Sequence, residues 1–85
     1  MSMFKAKLSY ERFIKEARNY NVPFKFFTRD GTRITMYMHY IIGSATIPFL
    51  YWSEVSGDEK LISQIEVELR REGFKYAQAF EVPVP

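Results

Sequence analysis

The chain has 85 residues, with 12 Lys and Arg against 10 Asp and Glu, a net charge of +2, no cysteine and one histidine. That length holds one domain, residues 1–85, whose folding buries only roughly 60 to 65% of the surface of the unfolded chain. Without cysteine there is no disulfide, thiolate nucleophile or thiolate ligand, and with one histidine any metal site would have to be built from carboxylates.

The first residues, Met1 to Lys7, lack the uninterrupted apolar run of a secretory signal, and no apolar stretch approaches the ~18 residues needed to cross a bilayer. A cytoplasmic location with no membrane partner is expected. Charge is uneven along the chain. Residues 1–33 carry eight Lys and Arg against three Asp and Glu, a balance of +5, whereas residues 34–85 carry four against seven, a balance of −3. Such polarity favours an acidic or nucleic-acid partner for the first half, or contact between oppositely charged parts of two copies.

Residues 3–8 alternate, with Phe4, Ala6 and Leu8 on one side and Lys5 and Lys7 on the other, which suits a short edge strand or an arm. Ser9 can cap a helix in which Tyr10, Phe13, Ile14, Ala17 and Tyr20 form an apolar stripe, ended by Asn21 and Pro23. An aromatic-rich meander of three strands follows from about 23 to 54, with turns expected at Arg29-Asp30-Gly31 and Gly43-Ser44. Pro48 places the third strand at a bulge or a sheet edge. Ser56-Gly57-Asp58-Glu59 has the spacing of a capping box for a second helix with Leu61, Ile62, Ile65 and Leu69 on its buried stripe and Gly73 at its end. Phe74, Tyr76, Gln78, Phe80 and Val82 then alternate as a last strand. The expected fold is α+β, in the order (β)-α-β-β-β-α-β, with one antiparallel sheet and both helices on one face.

Register at the first hairpin decides which side chains reach the other face. A two-residue Asp30-Gly31 loop sets Phe27 beside Ile34 and aims Lys25 into the core. A three-residue loop with Gly31 in the left-handed conformation pairs Phe26 with Ile34 and Phe24 with Met36, and this register is expected because it keeps lysine out of the interior. The outer face then carries Lys25, Phe27, Arg33, Thr35, Tyr37 and His39, with Arg29 in the turn. From the third strand Thr46, Pro48, Leu50 and Trp52 join them, while Ile47, Phe49 and Tyr51 point inward. Phe27, Tyr37, Ile41, Leu50 and Trp52 together form an apolar patch too large to leave in water, and a back-to-back homodimer is its simplest cover.

Chemistry is sparse. His39 has no carboxylate at a predictable spacing, so a packed or interfacial histidine is the plainer reading than a base. Glu54, Asp58 and Glu59 could be drawn as paired carboxylates, but helix capping explains their spacing. The glycines sit at turns and caps, no phosphate-cradling loop is present, and no cofactor is expected. The order α-β-β-β-α over residues 9–73 resembles the double-stranded-RNA-binding domain. That family opens its second helix with lysines facing phosphate, whereas Ser56-Gly57-Asp58-Glu59 would repel RNA, so membership does not follow.

The expectation is therefore a non-enzymatic binding protein, homodimeric, that regulates or inhibits a larger protein or complex. Its expected contact residues are Lys25, Phe27, Arg29, Arg33, Tyr37, His39, Leu50 and Trp52. Nucleic acid is the alternative partner, with lysine and arginine on phosphate and aromatic rings stacking on bases. An enzyme would need a site assembled across a subunit boundary, using Tyr37, His39, Arg33 or an acidic group from the neighbouring subunit.

Overall fold

The computed structural model describes residues 4–20, 22–41 and 48–78, and of residues 40, 41 and 48 the backbone alone. The order is β1 (Phe4–Lys7), α1 (Tyr10–Asn19), β2 (Phe24–Asp30), β3 (Arg33–Ile41), β4 (Pro48–Ser56), α2 (Glu59–Arg71) and β5 (Lys75–Tyr76). One five-stranded sheet results, in the spatial order β1-β4-β3-β2-β5.

The sheet is mixed, which corrects the antiparallel expectation. β2, β3 and β4 form the antiparallel meander, but β1 lies parallel to β4 and β5 parallel to β2. The cause is the helix that joins each outer strand to its neighbour in sequence, α1 between β1 and β2 and α2 between β4 and β5, because a helical crossover returns the chain in the same direction. The crossover from β1 through α1 runs from the first sheet position to the fourth, and that from β4 through α2 runs from the second to the fifth. Both therefore traverse the sheet the same way between parallel strands. Crossovers of one hand then put both helices on one face, as expected here, and the right-handed preference makes this the default.

The inner face and the helices share one core. Phe13, Ile14 and Ala17 from α1 and Ile62, Ile65 and Leu69 from α2 bury against Phe27, Ile34, Met36 and Met38 of the sheet. Alternation makes the strands amphipathic: Ile34, Met36 and Met38 are fully buried, whereas Arg33 is exposed and Thr35, Tyr37 and His39 are half-buried. The two helices also meet through the Tyr10 hydroxyl, which donates to the Glu68 carboxylate. Burial, and then that bond, push the Tyr10 phenol well above its ordinary value.

Caps differ in one place from the sequence reading. Ser9 Oγ accepts from the Arg12 amide at 3.3 Å as expected, but α2 is capped by Asp58, whose carboxylate accepts from the Leu61 amide at 2.8 Å. Ser56 instead closes β4 opposite Arg33, and Leu61 stays 40% exposed, outside the buried stripe. Pro48 opens β4 in the sheet interior. The position is tolerated because β1 pairs with β4 only from Phe49 onward. The turn at Gly43-Ser44, with Thr46 and Ile47, lies outside the described residues, as do Phe80 and Val82.

The first hairpin takes neither of the two loops weighed from sequence. Asp30 pairs with Arg33, so the loop is Gly31-Thr32, and Gly31 has φ of +61° at the first central position, where type II′ turns place glycine. Phe27 consequently faces Met36, and β2 turns Lys25, Phe27 and Arg29 inward. Those three residues are thereby removed from the expected outer contact surface.

Two inward cations are cheap here because α2 supplies their partners. Lys25 Nζ donates to the Glu72 carbonyl at 2.7 Å, at the helix end where backbone carbonyls lack helical partners, and lies 5.6 Å from the Phe74 ring centre. Arg29 binds the carboxylates of Glu59 and, at 3.3 Å, Glu66. The bond from the Arg29 guanidinium holds the Glu59 carboxyl below the usual carboxylate range. Between these two cations Phe27 is fully buried, with its ring centre 5.7 Å from that of Tyr76.

Candidate functional site on the open sheet face

Register across the sheet builds the outer face in rows. One row crosses all five strands as Lys7, Trp52, Tyr37, Phe26 and Lys75, three adjacent aromatic residues with a lysine at each end. The next row is Lys5, Leu50, His39 and Phe24. Toward the Gly31 turn the face becomes polar, with Thr28, Thr35 and Glu54 in one row and Asp30, Arg33 and Ser56 in the next. None of these residues belongs to the hydrophobic core.

Exposure and charge are distributed unequally over this surface. Phe24 is 49% exposed, while Phe26, Tyr37, His39, Leu50 and Trp52 are half-buried. The Phe24 and His39 rings lie 5.9 Å apart. Lys7 Nζ sits 5.1 Å from the Trp52 ring centre, a cation-π contact. Arg33 is held loosely between Asp30 at 3.6 Å and Glu54 at 4.0 Å. Lys5, Lys7 and Lys75 make no ion pair with the described residues. A shallow groove of about 450 Å³ continues from Tyr37 between Thr28, Thr35 and Arg33 on the sheet and Tyr76 and Gln78 at and beyond β5.

Of the expected contact residues, the structure thus brings Arg33, Tyr37, His39, Leu50 and Trp52 together and sends Lys25, Phe27 and Arg29 to the other side. Sequence reasoning missed Phe24, Phe26, Lys5, Lys7 and Lys75. The signal that would have found the two phenylalanines is Gly31-Thr32 read as a glycine-first two-residue loop, which fixes the facing of β2.

Among the described residues, the groups weighed from sequence as catalytic are not brought together on this face. The His39 Nε2 is buried without a hydrogen-bond partner among the described residues, and its ring neighbour in the row is Phe24. Asp58 caps α2, and Glu59 binds Arg29 on the opposite side of the sheet from His39. Among the described residues no group of three His, Asp or Glu side chains could hold a metal ion, and no helix is long and apolar enough to cross a membrane. What the arrangement offers is an aromatic centre bordered by cations, the anatomy of a contact surface. No protein-family model, curated protein or solved structure matches the chain, so its function has to be argued from this surface.

Proposed function

We propose that this chain is a small non-enzymatic binding protein that acts by protein-protein contact through the outer face of its sheet, as a regulator or inhibitor of a larger protein or complex. In the absence of that partner the same face pairs two copies back to back. The observation that carries this reading is the row Trp52, Tyr37 and Phe26 on a face that neither helix covers. Strands about 4.8 Å apart and rows about 6.8 Å apart give that face, side chains included, roughly 25 by 25 Å or about 600 Å², the low end of the ~600 to 1,000 Å² that each side of a standard interface contributes.

Nucleic acid is the weaker alternative. The register withdraws Lys25 and Arg29, two of the cations that would have met phosphate, and buries Phe27, which would have stacked. Arginine forks suited to phosphate are engaged within the fold at Arg18, Arg29, Arg33 and Arg70.

Sedimentation of the wild type and of a Tyr37→Ser, Trp52→Ser double variant tests the proposal. The wild type is expected to self-associate and the variant to stay monomeric with its unfolding still cooperative. A wild type that remains monomeric at all accessible concentrations and takes up no neutral apolar dye would refute it.

A further inference from the structure

Resting on that reading, the charge pattern of the face identifies the chemistry of the partner. We infer that the outer sheet face docks on an acidic protein surface, one that sets carboxylates around an apolar centre.

Charge pairing within the fold carries the argument. The inward cations of β2 are satisfied, Arg29 by Glu59 and Glu66 and Lys25 by the Glu72 carbonyl. The outer face instead keeps Lys5 and Lys7 along one border and Lys75 at the other, none of them ion-paired among the described residues, with the aromatic residues between them. Counting the described residues of this face, four cations (Lys5, Lys7, Lys75, Arg33) stand against two carboxylates (Asp30, Glu54), a net of +2, and both carboxylates already face Arg33. Among the described residues the border lysines are thus the cations of this face that no carboxylate neutralises, Lys7 resting on the Trp52 ring. Their placement at the rim of an aromatic centre is where electrostatic steering and specificity act in protein contacts.

A second copy fits this pattern less well than an acidic partner does. Two-fold pairing of the face with itself brings +2 against +2, so the homodimer is opposed by charge and tightens as salt screens it. Contact with an acidic partner has the reverse salt dependence. A single strand of nucleic acid would share that salt sign, but it needs cations that track a backbone along a groove, and here they flank the row at opposite edges.

Trp52 is the only tryptophan, so its emission reports on this face directly. The full chain is titrated with the acidic copolymer poly(Glu,Tyr), exciting tryptophan selectively, and separately with an oligothymidylate of about 15 nucleotides, long enough for one single-strand site. Poly(Glu,Tyr) is expected to change Trp52 emission at low ionic strength, with the change lost near 0.5 M salt, where screening leaves only about 4 Å of reach. A Lys5→Glu, Lys7→Glu, Lys75→Glu variant is expected to bind it at least about tenfold more weakly while unfolding at the same urea concentration.

Three results overturn the inference: no response to poly(Glu,Tyr) at low salt, a response unaltered in the triple variant, or an oligothymidylate that binds more tightly than poly(Glu,Tyr) and quenches Trp52. The last identifies nucleic acid as the occupant. A neutral dye such as Nile red separates this failure from failure of the face itself. Dye uptake by the wild type that is lost in Tyr37→Ser leaves the docking face standing, and its absence removes both.

Discussion

Replacing Phe27 and Phe26 in turn by alanine asks the register question directly, because the two neighbours lie on opposite faces of β2. The Phe27 ring is fully buried between the meander and α2, with Arg70 5.4 Å from its centre and Tyr76 on its other side. Its truncation leaves a cavity in the middle of the core and should cost about 3 to 5 kcal/mol. A chain of this size has a total stability of roughly 4 to 13 kcal/mol. With a urea dependence of about 1 to 1.5 kcal/mol per molar, the Phe27→Ala midpoint should fall by about 2 to 5 M, and a protein at the low end of the stability range would be unfolded in buffer. Phe26 is half-buried on the outer face and outside the core, so Phe26→Ala should cost about 1 kcal/mol or less. Urea titration followed by circular dichroism, repeated at several protein concentrations so that self-association shows as a shift of midpoint, measures both. Equal costs, or a greater cost for Phe26, would mean that β2 is turned the other way and that the aromatic row has been assembled incorrectly.

Other consequences follow from single side chains. Tyr10 keeps its proton to higher pH when folded than when unfolded, so its contribution is complete below about pH 10 and is lost as pH rises through the folded value. Tyr10→Phe, by losing the bond to Glu68, should cost about 1 to 2 kcal/mol at pH 7 and flatten the alkaline decline in stability, and a decline as steep as that of the wild type would place its origin elsewhere. Lys25→Met keeps the aliphatic stem but loses the bond to the Glu72 carbonyl and the charge at the end of α2, an expected loss of about 1 to 2 kcal/mol in urea titration. Asp58→Ala should cost about 1 kcal/mol through loss of the α2 cap and Ser56→Ala under 0.5 kcal/mol, the reverse of what a Ser56 capping box requires.

Legibility in the sequence followed the strictness of alternation. β3 reads Arg33, Ile34, Thr35, Met36, Tyr37, Met38, His39, and its two faces are plain from residue type alone. Once β3 is fixed, Leu50 and Trp52 follow through the β4 pairing. β2 reads Phe24, Lys25, Phe26, Phe27, Thr28, Arg29, where aromatic residues occupy both parities and no alternation remains to choose a face. The decision falls instead to partners 47 and 37 positions away, the Glu72 carbonyl for Lys25 and Glu66 for Arg29, which local pattern cannot reveal. The rule that lysine avoids a core is sound, but it presumes a core without helix ends. The parallel edges were inferable in principle, because a helix separates β1 from β2 and β4 from β5. Which sheet positions those edges take depends on tertiary packing. Lys5, Lys7 and Lys75 could not be assigned to the face before that topology was known.

The same topology explains why an open face can be stable in water and still be ready for contact. Two crossovers in one direction consume both helices on the inner side, and that side holds every fully buried side chain among the described residues. The outer side is built from Tyr, Trp, His and Thr together with Phe24 and Phe26, with only Leu50 as an aliphatic residue of its described centre, and the rings of Tyr, Trp and His carry polar edges that tolerate water better than leucine or isoleucine would. Obligate subunit interfaces resemble a domain core cut in half, whereas the proposed contact face, aromatic and bordered by charge, has the composition of partners that separate. On the proposed reading, stability and contact therefore reside on opposite faces of the same strands. Substitutions at Tyr37, Trp52 or the border lysines should change association while leaving the urea midpoint nearly in place, and substitutions at Phe27, Met36 or Leu69 should unfold the chain before any effect on contact can be read.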